Sequence, residues 1–510
     1  MTKQIRNLGV FLIACYVALF VQVNRLTVFQ AEDLQNKPGN NRQALRDFDA
    51  PRGSISTADG VVIAHSEPID NPEPGSFSTQ RVYDQGPLYA HITGFFNPLS
   101  IGSDGLERQY NDELAGRTVD DITDVDSLER FIQNFFVAED HVGNLTLTVR
   151  NDVQQVAANA LGGQRGSIVA LDPRTGGILA MYSNPTYDPN QLATHDARAA
   201  TQASEALNAD PTKPRLARTY QERFAPGSTF KVVTASAGVE SGRVTNENPN
   251  YPVMREYTAP SGGSPIPNFG GSACGGTLFE ILQVSCNTAF AQMGAEDLTG
   301  DELSATAEAF GFNQDVPIDL PRPATSVFPV DNAQDPAFRA QIAIGQNDDA
   351  ATPLQMACVA AAVANGGEIH TPHVVDVVRD ENENELESGD DDVWTTAMSS
   401  DTAALMQQAM IGVVQGGTAE RLDDGLPEGT VVGGKTGTAQ LGDTGTSHAW
   451  IIGFAGPEGR PPQVAVAVII EAQEGASEQT GGRVAAPIAA QVLAQALQPV
   501  PTPGEGSGEE

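Results

Sequence analysis

The 510-residue sequence predicts an α+β fold: a central antiparallel sheet flanked by helices, preceded by a small irregular module and one transmembrane helix. Three observations predict it. Residues 152–161 carry the apolar spacing of a helix, 166–172 read as a buried strand, 173–177 as a Pro-Gly turn and 178–182 as the returning strand. Residues 431–439, 449–455 and 463–471 read as three further strands in meander order, closed by a helix over 485–497. At the other end, Lys3 and Arg6 precede an apolar run over residues 8–23 in which Gln22 is the one clearly polar member.

Taken in order, that run sets the compartment. Its 16 residues make about 24 Å of helix, short of a hydrocarbon core of about 30 Å. Residues 26–29 can extend it by tilting. Basic residues first predict a cytoplasmic N-terminus and an exported remainder. No A-x-A site follows the run, which favours an uncleaved signal anchor over a removed signal peptide. The segment Leu12-Ile13-Ala14-Cys15 spells a lipoprotein-like box, but too little apolar sequence precedes it. Residues 1–29 therefore read as cytoplasmic start and anchor.

Residues 30–50 are polar and read as a linker or a first helix. Asp59-Gly60 between short β-branched runs reads as a hairpin turn, and residues 70–145 as a small α+β module rich in Gly and Pro. Residues 30–144 thus form one unit and 145–497 a second. Within the second, 184–215 read as loop, and 228–240, 278–293, 352–364 and 401–415 as helices; Asn365-Gly366-Gly367 is a helix stop. The Pro-, Gly- and Glu-rich tail 498–510 reads as disordered. No repeat is evident.

Sixty-five acidic residues against 29 basic ones give a formal charge of −36. That excludes a basic nucleic-acid face and disfavours tight docking to anionic lipid. Four cysteines form no C-x-x-C pair, so neither a zinc site nor a dithiol redox site is indicated. In an exported body, Cys274 and Cys286 are either bridged or buried free thiols. His370-Thr371-Pro372-His373 has a proline between its histidines and no acidic partner, and reads as a loop, not a metal site.

Three motifs carry chemistry. In Ser228-Thr229-Phe230-Lys231, preceded by Phe224-Ala225-Pro226-Gly227, the serine falls in a first helical turn and the lysine sits three residues on, over the same face. A serine hydroxyl needs an adjacent base, and a lysine serves when burial and neighbouring positive charge lower its pKa. In Ser285-Cys286-Asn287, a hydroxyl that can relay a proton and an amide that can hold a substrate amide point into one space, with the cysteine turned away. In Lys435-Thr436-Gly437-Thr438, the glycine leaves room for a substrate backbone as an added strand, and the lysine and threonines suit a carboxylate. Each motif alone is weak: a surface helix pair, a turn and a glycine-broken strand. Their order, S-x-x-K then S-x-N then K-T-G, is the signature of serine β-lactamases and penicillin-binding proteins.

The flanks make the resemblance specific. Residues 145–497 resemble the transpeptidase domain of class B penicillin-binding proteins, through Ser183-Asn184-Pro185-Thr186-Tyr187-Asp188-Pro189-Asn190, Ile344-Gly345-Gln346, Thr352-Pro353-Leu354-Gln355, Gly417-Thr418-Ala419 and His448-Ala449-Trp450. Residues 30–144 resemble that family's pedestal and dimerisation module through Arg52-Gly53, Ile55 and Gly105-Leu106-Glu107, with Ser56-Thr57-Ala58 departing from the usual Asp-Arg pair. The short module and the lack of C-terminal sensor domains look closest to the penicillin-binding protein A branch of actinobacteria. The resemblance implies a β-lactamase-like fold and a cell-wall D,D-transpeptidase needing neither cofactor nor metal. It implies that Ser228 attacks the penultimate D-Ala carbonyl of a D-Ala-D-Ala stem and that Lys231 is the base. Ser285 would pass the proton to the leaving amine and Lys435 would tune it. Asn287, Thr436, Gly437 and Thr438 would bind substrate, and the N–H groups of Ser228 and Thr438 would form the oxyanion hole. Implied partners are stem peptides, β-lactams, the inner membrane and a polymerising glycosyltransferase or a division or elongation complex. The rivals are a D,D-carboxypeptidase using water, a β-lactamase, and a non-catalytic division scaffold or β-lactam sensor. His448 and Trp450 read as structural, and Glu107 as core in preference to a signalling residue.

Overall fold

The computed structural model describes residues 2–25, 42–70, 72, 76–116, 142–440, 446–472 and 479–501. Residues 26–29 of the expected anchor, 30–41 of the expected linker, 117–141 of the expected N-terminal module and most of the expected disordered tail lie outside the described residues.

The five-stranded antiparallel sheet is built from the segments that the pattern singled out. Its order is Thr430–Gln440, Ser447–Pro457, Val464–Ile470, Gly166–Leu171 and Ile178–Asn184. The hairpin pairs Gly166 with Asn184 and Val169 with Met181, and the meander pairs Gly437 with Trp450 and Thr438 with Ala449. Gly166–Leu171 and Val464–Ile470 are buried at every position, which is why they read as continuous apolar runs with no alternation. Helix Pro353–Ala364 packs across the middle strands, and Asn151–Leu161 and Ala486–Ala496 pack on each other and on the same sheet. All 12 residues of Pro353–Ala364 are buried. Its start follows from Thr352, whose hydroxyl accepts the Gln355 N–H, and from a proline in the first turn. Thr430–Gln440 is an edge strand, so one side of its backbone is left unpaired within the sheet.

Three expectations need correction. Residues 184–215 were expected to be loop, but Ala197–Ala209 is a helix, capped by Asp196, which accepts from Arg198 and Ala199. Its burial is one-sided and confined to Ala200 and Ser204, so alanine propensity, not an apolar stripe, marks it. The expected helix 278–293 is broken into Leu278–Gln283 and Asn287–Gln292, because Ser285 takes a φ of 57°. The boundary at 145 does not separate the sheets. Val375–Arg379 and Glu385–Ser388, from the second unit, extend a six-stranded sheet whose other strands include Asn144–Leu147, Ile55–Ser56, Val62–Pro68 and Thr79–Val82. Apart from these, the apolar N-terminal run lies in helix Thr2–Asn24 with its large apolar side chains exposed; among the described residues no helix is long and apolar enough to cross a membrane.

The expected hairpin is present: Thr57 N–H donates to Val61 O, and Gly60 has a φ of 79°. Below it lies a buried charge cluster. Glu107 accepts from Arg52 Nε at 2.9 Å, Arg81 Nε at 2.5 Å and Tyr83 OH at 3.1 Å. Burial pushes the Glu107 carboxyl up, but Arg81 and Arg52 outweigh it and hold it below the usual range. Arg52 also stacks over Phe96, 3.7 Å from the ring centroid. Glu107 is thus core. The stretch from Ser183 to Asn190 clamps the two units: Asn190 exchanges two 2.9 Å hydrogen bonds with the Tyr83 backbone, and Tyr187 OH donates to Ala90 O.

Replacing Glu107 by Gln leaves two buried guanidinium groups without a counter-charge. We expect a loss of about 3–5 kcal/mol in unfolding free energy, read as a lower urea midpoint with unchanged slope.

Candidate active site

The peptide around Ser228 is held by close backbone packing. Gly227 N–H donates to Gly345 O at 2.9 Å, and Gly227 and Gly345 have φ of 53° and 73°. A Cβ on Gly345 would run into the Gly227 carbonyl, and one on Gly227 would lie 2.9 Å from Thr438 O. The turn is thereby wedged between the edge strand and the loop at Gly345. It passes through the 3₁₀ turn Gly227–Phe230, which carries Ser228 at a half-buried position, into helix Lys231–Glu240, which begins with the fully buried Lys231.

The second motif is set by strain and a crosslink. Ser285 is a non-glycine residue in the left-handed region, a conformation that costs energy and persists where its surroundings enforce it. Cys286 is disulfide-bonded to Cys274, with Cα atoms 5.8 Å apart. Of the two alternatives left open for these cysteines, the structure has the bridge, which ties the second motif to the strand Cys274–Gly276.

The two lysines converge on this serine. Lys231 Nζ donates to Ser285 O at 2.8 Å, Ser285 Oγ at 3.3 Å and Asn287 Oδ1 at 2.6 Å. Lys435 Nζ donates to Ser285 Oγ at 2.8 Å and Thr436 O at 2.8 Å. Both side chains are fully buried. Burial, and then the charge of Lys435, bring Lys231 well below the ordinary lysine value; burial brings Lys435 down to about 7. Ser285 O and Asn287 Oδ1 carry no hydrogen and take the two N–H bonds of a neutral Lys231, which leaves its lone pair for a hydroxyl proton.

Ser228, Ser285, Asn287, Thr436 and Thr438 all line one cavity of about 990 Å³, with the lysines buried beneath it. The structure thus brings all of these residues together. Two expectations change in detail. Gly437 does not clear space for substrate: a Cβ there would lie 3.0 Å from Pro226 O, Thr229 Cγ2 and Trp450 Cβ, so its bareness lets the strand approach the serine turn. The Asn287 amide is already engaged at both ends, by Lys231 and, at 3.0 Å, by Pro267 O. Trp450 is core and donates to Ala225 O at 3.1 Å, bracing the same turn. His448 Nδ1 accepts the Ala472 N–H and is structural. His370 and His373 bond backbone carbonyls, and among the described residues no group of acidic, His and Cys side chains could hold a metal.

Sequence reasoning missed the outer wall. Thr418, whose hydroxyl lies 2.6 Å from that of Thr436, joins Thr480, Arg421 and Arg483 in lining the cavity. Gly417-Thr418-Ala419 was a visible motif without an assigned role; the two arginines belong to none.

The comparisons with known proteins agree on one family. The penicillin binding protein transpeptidase domain matches residues 166–494, and the penicillin binding protein A dimerisation domain matches 52–134. The chain is 36% identical to the peptidoglycan D,D-transpeptidase PbpA of Mycolicibacterium smegmatis, over 98% of this chain and 99% of that protein. It is 34% identical to the PbpA of Mycobacterium tuberculosis, over 98% and 100%. Penicillin-binding protein A of M. tuberculosis as a ceftriaxone acyl-enzyme superposes with a TM-score of 0.77 at 33% identity, covering 89% of this chain and 100% of that one. Its penicillin G acyl-enzyme gives 0.75 at 34%, covering 88% and 100%.

Because Lys435 titrates near 7 in the folded chain and near 10.5 when unfolded, the unfolded state binds more protons between those values. Stability therefore rises with pH across that window. In Lys435→Met that rise is smaller, measured as the melting temperature of both proteins from about pH 7 to about pH 10.

Proposed function

The chain belongs to the class B penicillin-binding proteins, the peptidoglycan D,D-transpeptidases, and on that premise we propose that Ser228 is the acylated nucleophile of an enzyme anchored in the cytoplasmic membrane and working outside it. The observation that carries the serine assignment is the convergence of Lys231 and Lys435 on Ser285 Oγ at the floor of the cavity that Ser228 lines.

The chemistry follows from that arrangement. Lys231, kept neutral by burial and by its fellow lysine, takes the Ser228 proton as Oγ bonds to the penultimate D-Ala carbonyl carbon. The backbone N–H groups of Ser228 and Thr438 hold the resulting oxyanion. Ser285, bonded to both lysines, delivers a proton to the departing nitrogen; the C–N bond breaks and D-Ala leaves. The unpaired side of strand Thr430–Gln440 takes the stem as an added strand, Thr436 and Thr438 bind its terminal carboxylate, and Asn287 offers the donor amide the second Nδ2 hydrogen that Pro267 O does not take. The amine of a second stem then attacks the ester, forms the cross-link and frees Ser228. A β-lactam acylates the same oxygen, a reading supported by a relative solved as a penicillin G acyl-enzyme complex.

The anchor and its sidedness rest on Lys3 and Arg6 ahead of the apolar run in helix Thr2–Asn24, with its exposed Leu, Val and Phe side chains. The disulfide agrees with an oxidising compartment. Work beside a glycan polymerase or within a division or elongation complex suits an anchored cross-linking enzyme.

Labelling by a fluorescent penicillin is expected for the full chain and absent in Ser228→Ala; equal labelling of both rejects the serine assignment. Ser285→Ala is expected to slow acylation by about 10²-fold or more, the scale of general acid–base catalysis. With a D-Ala-D-Ala donor and an added amine acceptor, amide product should exceed hydrolysis; hydrolysis alone would make the enzyme a carboxypeptidase.

A further inference from the structure

The cavity holds a charge asymmetry that the mechanism above does not use. In a chain with 65 acidic and 29 basic residues, the charged side chains among the described residues that line it are two arginines, Arg421 and Arg483, with no carboxylate. They sit side by side: Arg421 Nη1 donates to the Arg483 backbone carbonyl at 3.1 Å. Arg421 is more than half exposed and its Nε pairs with exposed Asp424 at 3.2 Å, a contact weak enough to exchange for a ligand. Arg483 is exposed and has no ion pair among the described residues.

Their place along the reacting strand can be read from neighbours. The Ser228 turn meets the strand at Thr438, where a Cβ on Gly227 would touch Thr438 O. Two residues along, Thr436 Oγ1 lies 2.6 Å from Thr418 Oγ1, three residues before Arg421. From the other side, a Cβ on Gly482, next to Arg483, would lie 3.5 Å from Thr436 Cγ2. A donor whose scissile carbonyl is at Ser228 and Thr438 therefore runs its leaving residue toward Thr436 and the arginines. That residue ends in a carboxylate.

We propose that Arg421 and Arg483 are specificity-determining residues that recognise the donor's terminal carboxylate, adding full positive charge to the neutral hydroxyls of Thr436, Thr438 and Thr418. Resting on the Ser228 reading, this says why a strongly acidic protein accepts an anionic substrate: the two arginines set exposed positive charge at one end of a cavity whose lining has no carboxylate among the described residues. Guanidinium groups suit the task, since their paired N–H donors match a carboxylate and stay charged at every working pH.

The test uses the full chain, penicillin G as the carboxylate probe and its methyl ester as the neutral counterpart. Second-order rates of Ser228 acylation are followed by intact-protein mass spectrometry. For Arg421→Gln, Arg483→Gln and the double variant, the ratio of carboxylate to ester rates should fall, by about 10-fold or more in the double variant, the scale of losing charge-assisted hydrogen bonds. The slowing of penicillin G acylation by added salt should flatten with it. Arg460→Gln, at a turn remote from the cavity, should keep the wild-type ratio. A merely structural role would slow both probes alike and leave the ratio in place. If the wild type is acylated and the ratio and salt dependence survive in the double variant, the arginine assignment is overturned while the serine reading stands. If the wild type is acylated by neither probe, the serine reading fails and takes this assignment with it.

Discussion

Two amines buried around one hydroxyl are the constraint on which this molecule turns. Ser285 Oγ is 2.8 Å from Lys435 Nζ and 3.3 Å from Lys231 Nζ, so the amines are within about 6 Å of each other. Two full charges at that spacing repel by roughly 3 kcal/mol at an effective dielectric near 20, before any cost of desolvation. The arrangement is tolerable if at least one amine is neutral at working pH. That neutrality supplies the base which a serine nucleophile lacks. The same burial that opposes stability makes Lys231 useful, so the fold must enforce what electrostatics resists.

It does so by closing every easy escape. Lys231 opens a helix whose preceding 3₁₀ turn is jammed between Gly345 and the edge strand. Lys435 lies on that strand, in register with Ile452 of a sheet buried on both faces. Ser285 is held in a left-handed turn, its neighbour Cys286 bridged to Cys274 and Cys286 N–H bonded to Ile281 O. Each restraint is backbone or covalent, not a flexible side chain. A crevice made this way keeps its donors in place when charge develops, which is what preorganised stabilisation of an oxyanion demands.

How much of this could be read from the chain depends on the range of the interaction. The strand and helix positions around the chemistry came through because burial on both faces writes long apolar runs, as in 166–171 and 464–470. The three motifs were legible because their spacing is chemical as well as structural. Features set by tertiary contact were not. Gly437 looked like room for substrate, while its empty side faces Thr229 and Trp450. Residues 278–293 looked like one helix, since nothing local in Val284 or Ser285 announces a positive φ. Ala197–Ala209 lacks an apolar stripe, and its signal was alanine content with an Asp cap. Arg421 and Arg483 belong to no pattern; only folding places them at one wall.

The same long-range logic explains the apparent seam at residue 145. A pedestal joined to an enzyme by a bare linker would be free to swing. Here Val375–Arg379 pairs with Asn144–Leu147 in register, and Glu385–Ser388 extends the sheet beyond it. Asn190 and Tyr187 bind pedestal backbone, and His91 Nε2 lies 2.8 Å from Pro214 O. Breaking the two units apart would expose paired backbone groups and leave buried ones unmet, so the contact behaves as interior, not as a hinge. The Glu107 cluster fixes the pedestal itself, with two guanidinium groups on one carboxylate. The cavity is therefore held at a set distance and angle from the N-terminal module, with no slack joint between the two units among the described residues.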